Sequence, residues 1–346
     1  MGMAAMTAAG ATPQPESGSR LWAIVLHGGA GGVERATMKP ETEAAYRASL
    51  SVAIRAGAAV LDCGGSSLDA VEASIRILED DPLFNAGRGA VFTADGKNEL
   101  DAAIMDGATL RAGAIADVTC TRHPIALSRA VMEKSPYVLL AGSGADEFSV
   151  HSGLEQVPPS FFFTERRWEA LVRQLRKEGL RIPPRPAGAP PLPAGPIAEI
   201  EPLGAHEFGT VGAVALDRQG LVAAGTSTGG TQGKRWGRVG DSPLIGAGTY
   251  ASNQSCAVSA TGTGEYFIRL TVARTVCALV QYKGMSVQAA VDEVIHTDLT
   301  ALHGDGGVIA IAPDGEMAWS FNTPGMYRAK LAEGGKLEVA IFSDEP

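Results

Sequence analysis

The chain has 346 residues, 45% hydrophobic and 19% charged, with 43 glycines, a balance that gives apolar material for a sizeable core in one large domain or two ordinary ones. Its formal net charge of −9 speaks against nucleic acid as a partner, because phosphate binding draws on basic patches. No apolar run reaches the roughly 18 residues that a membrane helix needs.

The first 20 residues are small and polar and lack the basic start and apolar stretch of a signal peptide. They read as a disordered tail, and the protein is expected in the cytoplasm. Trp22 to His27 reads as a short buried strand running into the glycines of 28–32. Residues 41–60 carry helical spacing. Ser66-Ser67-Leu68-Asp69 reads as a helix start, with Asp69 three residues after a candidate cap, and the helix runs to about Asp80. Gly89 to Thr93, Leu100 to Met105 and Leu110 to Val118 read as sheet. A helix over Pro124–Lys134, a strand over Tyr137–Ala141 and a charged surface helix over Thr164–Lys177 follow. Residues 183–202 then hold eight prolines, a density that reads as an exposed linker over about 180–206.

Beyond the linker, Thr210–Leu216 and Leu221–Thr226 predict a hairpin around Asp217–Gly220. A glycine-rich loop covers 229–248, and Ser255–Ala260 is strand-like. Glu265–Tyr282 predicts one long buried helix and Ser286–Ile295 another. Val308–Ala312 and Met317–Phe321 predict strands around Pro313-Asp314-Gly315. Strands flanked by helices in both halves point to antiparallel sheets covered by helices. The four cysteines, Cys63, Cys120, Cys256 and Cys277, form no CxxC pair and read as reduced, buried thiols.

Three chemistries compete. Gly225-Thr226-Ser227-Thr228-Gly229 matches the G-x-S-x-G elbow of serine esterases, with His303 as a downstream base and His27-Gly28-Gly29 as an oxyanion loop. The elbow must turn into a helix, however, and the residues after Ser227 are too rich in glycine for one. Gly28–Gly32 follows a strand, as a nucleotide loop would, but does not read GxGxxG. The third chemistry uses a threonine. Its hydroxyl is a weak nucleophile unless a base sits beside it, and a threonine at a newly made chain start carries its own base, the α-amine. That amine has a reference pKa of about 7.7–8.0, so part of it is neutral near pH 7. Phe208-Gly209-Thr210-Val211-Gly212 fits this requirement, because a cut before Thr210 falls between the linker and a strand. Taken alone, a Gly-Thr pair in that place is simply a strand start.

Seven segments change that weighting: HGGAGG (27–32), LFNAGRGAVFT (83–93), GTVGAVALD (209–217), TSTGG (226–230), GRVGDSPLIGAG (237–248), ATGTGE (260–265) and FNTPGMYR (321–328). Together they resemble the plant-type asparaginases, also called isoaspartyl peptidases, of the N-terminal-nucleophile hydrolases, over nearly all of Trp22–Arg328 outside the linker. The resemblance implies an α+β fold, a four-layer αββα sandwich of two antiparallel sheets. It implies a single domain over 21–346 that cleaves itself between Gly209 and Thr210 into subunits 1–209 and 210–346. By the same resemblance, Thr210 is the nucleophile and Thr228 the hydroxyl that faces it. Thr261 and Gly262 form the oxyanion hole, and Asn85 lies near the nucleophile's amine. Arg238 clamps the substrate α-carboxylate, Asp241 meets its α-ammonium, and Gly264 is a close-approach glycine of the substrate loop.

Further implications are a structural sodium ion wrapped by backbone carbonyls of Leu78, Glu79, Asp81, Phe84, Ala86 and Arg88, no organic cofactor, and a dimer of cleaved αβ units. The substrates implied are asparagine and β-aspartyl dipeptides. Arg88 stands where an apolar residue is expected, and Trp236, just before Gly237-Arg238, is a second departure. His27 reads as structural. The rival readings are a glycosylasparaginase-type amidase of the same fold, a serine esterase, and a binding protein on an inactive scaffold.

Overall fold

The structure, a computed structural model, describes residues 21–191 and 209–345. The expected tail (1–20) and the second half of the expected linker (192–206) lie outside the described residues.

Strand β1 (Ala23–Gly31) is buried along its whole length. Helices α1 (Pro40–Asp62) and α2 (Ser67–Asp80) follow. The predicted start of α2 is a capping box: Ser66 Oγ accepts the Asp69 N–H at 3.1 Å, and the Asp69 carboxylate accepts the Ser66 N–H at 3.4 Å. The run Gly89–Thr93 is buried, but it is not the strand expected there. Its backbone is met partly by side chains, Val91 N–H donating to Asn85 Oδ1 and Asn98 Nδ2 to the carbonyls of Ala90 and Val91, and partly by turn and loop backbone, Thr93 N–H donating to the Lys97 carbonyl and Gly233 N–H to that of Phe92. Strands β2 (Leu100–Asp106) and β3 (Ala112–Val118), helix α3 (Pro124–Lys134) and strand β4 (Leu139–Ala141) come next. Helix α4 (Gly142–His151), which the sequence reading passed over, and the amphipathic α5 (Glu165–Lys177), capped by Thr164, complete the first half.

The proline-rich stretch begins as packed coil. Pro183 lies against Gly96, and Arg185 pairs with Glu165 at 2.7 Å and stacks on Phe163. Over 183–191 the expected linker is partly seated on the protein, with Pro183, Arg185, Pro186 and Ala189 half-buried and the residues between and after them exposed.

The second half holds β5 (Val211–Leu216), β6 (Val222–Thr228), β7 (Thr249–Ala251) and β8 (Ala257–Gly262). The long helix expected after β8 is two helices, α6 (Gly264–Leu270) and α7 (Val272–Lys283). The break is Thr271, whose φ of 46° is left-handed. It frees the first N–H groups of α7 to bond the loop below, Ala273 to the Ala247 carbonyl and Arg274 to Gly246. Helix α8 (Val287–Asp292) runs on as a π-helical turn over Glu293–Leu299. Four strands close the chain: β9 (Gly306–Ile311), β10 (Met317–Phe321), β11 (Gly325–Ala332) and β12 (Glu338–Phe342).

Eight strands form one sheet in the order β12-β11-β1-β5-β6-β2-β3-β4, and four form the other, β10-β9-β8-β7. All pairings are antiparallel except β3 with β4. Helices α1, α2 and α3 cover the large sheet, and α7 and α8 the small one, giving the αββα layering. Period-two alternation sets what lies between the sheets. On β1, Ile24 and Leu26 face the helices while Ala23 and Val25 face the other sheet. On β8, Val258 and Ala260 face α7, and Ala257 faces inward.

Two cysteine expectations fail. Cys256 and Cys277 are joined by a disulfide, because α7 packs on β8 and brings their Cα atoms to 5.4 Å. Cys63 is exposed. Among the described residues no helix is long and apolar enough to cross a membrane.

Candidate active site

Thr210 precedes β5, a central strand paired on both sides by β1 and β6. Thr210 shares the inward parity of Val214 and Leu216, as Thr226 and Thr228 share that of Val222 and Ala224 on β6. The two strands are in register, Val211 opposite Ser227, and this brings the Thr210 and Thr228 hydroxyls to 3.0 Å. Thr228 Oγ1 also accepts the Gly230 N–H at 3.0 Å. Thr210 is 8% exposed.

The bond before Thr210 is held from the other side. Asn85 N–H donates to the Gly209 carbonyl at 3.1 Å. Asn85 also takes the Gly229 N–H on its own carbonyl, and its Nδ2 donates to the Gly230 carbonyl at 2.8 Å. Position 209 must be glycine, because a Cβ there would lie 2.4 Å from Asn85 Cβ. Asn85 therefore knits the residue before Thr210 to the loop after Thr228.

Arg238 and Asp241 meet at one end of the same small cleft, which Thr210, Thr228 and Gly262 also line. Gly264 permits this meeting: a Cβ on it would fall 2.8 Å from Asp241 Oδ1 and 2.9 Å from Arg238 Nη2. Arg238 gives Nε and Nη2 to Glu265 at 2.9 and 3.0 Å, and its Nη1 lies against Gly240 and Gly230. Asp241 is buried, and its Oδ2 meets no hydrogen-bond partner. Burial pushes its carboxyl up to about 7, although Arg238 beside it acts the other way. A buried carboxylate oxygen without a donor, facing a cleft, suits a cationic ligand group.

Thr261 and Gly262 end β8 opposite Gly307 and Gly306. Thr261 Oγ1 accepts the Ala30 N–H at 3.2 Å, which leaves its own proton free to be donated.

His27, read as structural, touches the site. Its Nδ1 lies 3.0 Å from the Thr210 carbonyl, and since a carbonyl only accepts, Nδ1 carries the proton. Nε2 then accepts from Ser259 Oγ at 2.9 Å. Burial pushes the imidazole down to about 3, so the ring stays neutral. Thr226 and Thr249 extend this line of hydroxyls at 2.7 and 2.6 Å. Gly212 is bare because the His27–Ser259 bond passes beneath it. This network was not expected from the sequence, and the signal that could have found it was that 27, 210, 226 and 259 each fall on the inward-facing alternation of their own strand.

Ser227 has the opposite parity. It is fully buried on the helix side, where its hydroxyl donates to Glu79 Oε1 at 2.7 Å. It reaches no cleft, which removes the esterase elbow. Gly28–Gly31 lie within β1, so no nucleotide loop forms there.

Leu78 and Glu79 end α2, and the chain then curls through Asp81, Phe84 and Ala86 to Arg88 in a short 3-10 turn. Glycines 87 and 89 sit under the carbonyls of Glu79 and Phe84, with no room for a Cβ. Arg88 is exposed, with its guanidinium 5.8 Å from the centroid of the Phe161 ring, so the unexpected charge stays at the surface. Among the described residues, no cluster of three or more His, Cys, Asp or Glu side chains could hold a metal ion.

An αββα sandwich with a buried threonine opening a central strand and a second hydroxyl facing it belongs to the N-terminal-nucleophile hydrolase class. A family model described as "Asparaginase" matches residues 20–341, and the chain belongs to that family. It is similar to the isoaspartyl peptidase of Escherichia coli K12, 49% identical over 322 residues, covering 93% of this chain and 96% of that one. It is also similar to a probable isoaspartyl peptidase/L-asparaginase 2 of Arabidopsis thaliana, 44% identical over 93% and 99% of the two chains. A plant-type L-asparaginase of Pyrococcus abyssi is 40% identical over 90% and 97%.

Proposed function

We propose that the protein is a self-cleaving amidohydrolase that releases aspartate from asparagine, from β-aspartyl dipeptides, or from both. The observation that carries this reading is the convergence of the Thr210 hydroxyl, the Asp241 oxygen without a partner and Arg238 on one cleft. An α-amino acid presents a carboxylate and an ammonium from a single carbon. Arg238 takes the first and Asp241 the second, and the side-chain amide then reaches Thr210.

Self-cleavage comes first. The Thr210 hydroxyl attacks the Gly209 carbonyl carbon while Asn85 N–H holds the carbonyl oxygen. The peptide C–N bond breaks to give an ester, and water hydrolyses that ester to a Gly209 carboxylate and a free Thr210 amine. The products are subunits 1–209 and 210–346 of one hydrolase domain. In turnover the amine accepts the hydroxyl proton as Thr210 attacks the substrate amide. Thr228 orients the hydroxyl, and the Thr261 hydroxyl and the Gly262 N–H hold the oxyanion, a preorganised arrangement of the kind that lowers acyl-transfer barriers. Ammonia or an amino acid leaves with the proton, and water releases aspartate from the ester. No organic cofactor enters these steps.

We also assign a structural sodium ion to the backbone carbonyls of the turn over residues 78–88, since such a hard cation takes oxygen ligands. The same reading makes the assembly a dimer of αβ units in the cytoplasm. Mass spectrometry of purified protein tests the cleavage: fragments of 209 and 137 residues (346 − 209 = 137) are expected. A stable full-length chain after long incubation would overturn it and return the binding-protein reading.

A further inference from the structure

Three carboxylates, Glu99, Asp101 and Asp117, gather at the end of the large sheet beside the site. Asp101 is the direct cross-strand neighbour of Thr228. Its Oδ1 accepts the Asp117 N–H at 2.9 Å, at a point where Asp117 takes a left-handed φ of 55°. Alone, such a group would repel itself, and burial already raises the Asp101 carboxyl to about 6 and that of Glu99 upward. Lys97 acts on Glu99 and Arg238 on Asp101, and a third cation lies within 4 Å of all three carboxylates. Lys234, its side chain 1% exposed, places Nζ 3.1 Å from the Glu99 carbonyl. The same Nζ lies 3.7 to 3.9 Å from carboxylate oxygens of all three acids.

Lys234 belongs to the loop that carries Arg238. Its N–H donates to the Thr231 carbonyl, its own carbonyl accepts the Ala94 N–H, and Gly233 N–H donates to Phe92. Its stem lies under Gly230, where an added Cβ would come 3.2 Å from Lys234 Cδ and 3.5 Å from Arg238 Nη1. Gly230 in turn donates to Thr228. Past Lys234 the loop leaves the protein. Arg235 pairs with Glu178 at the surface, and Trp236 is 95% exposed at the tip of a turn closed by Arg238 N–H on the Arg235 carbonyl.

We propose that Lys234 is a positioning residue for substrate recognition: its buried ammonium, held in the Glu99–Asp101–Asp117 cradle, tethers the loop that presents Arg238 to the substrate carboxylate. Three residues separate the tether from the clamp, so a loose tether displaces the clamp while leaving Thr210, at the head of β5, and Thr228, on β6, in place. The inference rests on the asparaginase reading above.

The test is Lys234→Met, followed for self-cleavage on gels and for kcat and KM on asparagine by ammonia release. Self-cleavage at the wild-type rate and a KM raised roughly tenfold to a hundredfold, with kcat changed less, are expected. The double variant Lys234→Met/Asp101→Asn removes the one fully buried charge of the three left stranded without restoring the tether, and its KM is expected to stay high. A KM restored in the double variant would overturn the proposal, since Lys234 would then only balance charge. So would an unchanged KM in Lys234→Met. If Lys234→Met fails to cleave itself, Lys234→Gln takes its place with the same outcomes, and failure of both to self-cleave makes Lys234 a residue of the fold and overturns the proposal. Wild-type protein that cleaves itself but hydrolyses neither asparagine nor a β-aspartyl dipeptide would instead refute the functional reading itself.

Discussion

The layer between the two sheets is apolar at one end and polar at the other, although the same strands build both ends. Ala23 and Val25 of β1, Val214 and Leu216, Val222 and Ala224, and Ala257 fill the apolar end. Farther along the same faces stand His27, Thr210, Thr226, Thr228, Ser259 and Thr261, bonded to one another or to nearby backbone. Strand geometry is common to both ends, so the alternation that builds a core also aims a catalytic group. What differs is the solvent each end requires. Buried hydroxyls must be hydrogen-bonded, and a chain of them is rigid, which suits a nucleophile that has to meet its target in one orientation.

If the two ends are separable, substitutions should affect chemistry at one and stability at the other. The largest effect is expected from Thr210→Ala. In the proposed mechanism one hydroxyl serves both self-cleavage and turnover, so both should fall by about four orders of magnitude or more, while Thr210→Ser keeps part of each. The alanine variant should still melt cooperatively as an intact chain. Undiminished turnover in it would end the nucleophile assignment.

Arg238→Ala should cleave itself normally, because the precursor offers no free α-carboxylate. Its kcat/KM on asparagine should fall by the equivalent of about 2–5 kcal/mol. Paired gel and ammonia assays read both, and near-normal kcat/KM would refute the clamp.

Leu216→Ala addresses the apolar end. It should cost about 2–5 kcal/mol of stability in thermal unfolding and leave kcat and KM unchanged per folded site. Loss of activity in step with stability would join the two ends into one unit.

Asp241 gives the smallest effect and the sharpest sign. Its carboxyl is raised to about 7 in the folded chain from its ordinary value of 3.8. Between those values the unfolded chain binds fewer protons, so stability falls as pH rises. In the uncleaved Thr210→Ala background, Asp241→Asn should gain roughly 2–4 kcal/mol over its parent between pH 4 and 8, seen as a melting-temperature difference that grows with pH. A constant difference would mean that Asp241 is not charged at a cost.

Much of this was legible in advance. The capping box at Ser66, the helix over Pro124–Lys134 and the strands before and after Asp217 follow from local rules. The family segments brought Thr210, Thr228, Arg238 and Asp241 together before any geometry was known. The errors share a cause. Gly89–Thr93 is apolar and β-like, yet its hydrogen bonds go to the Asn85 and Asn98 side chains and to turn and loop backbone, partners that a period-two pattern does not reveal. Glu265–Tyr282 has an unbroken helical pattern, and it breaks at Thr271 only because the carbonyls of Gly246 and Ala247 offer partners to α7.

The sequence by itself determined the alternation that puts Thr210, Thr228 and Thr261 on inward faces, the glycines at 209, 212 and 264, and the family. Those depend on residue type and short spacing. Tertiary structure decided the rest: the 3.0 Å meeting of two hydroxyls, the His27 line to the Thr210 carbonyl, the Cys256–Cys277 bond, the lone oxygen of Asp241 and the cradle around Lys234. Each joins residues from separate strands or loops, and burial alone turns them from ordinary polar side chains into groups with shifted charge and fixed direction. Desolvation and long-range pairing belong to the packed chain and have no local signature in the sequence.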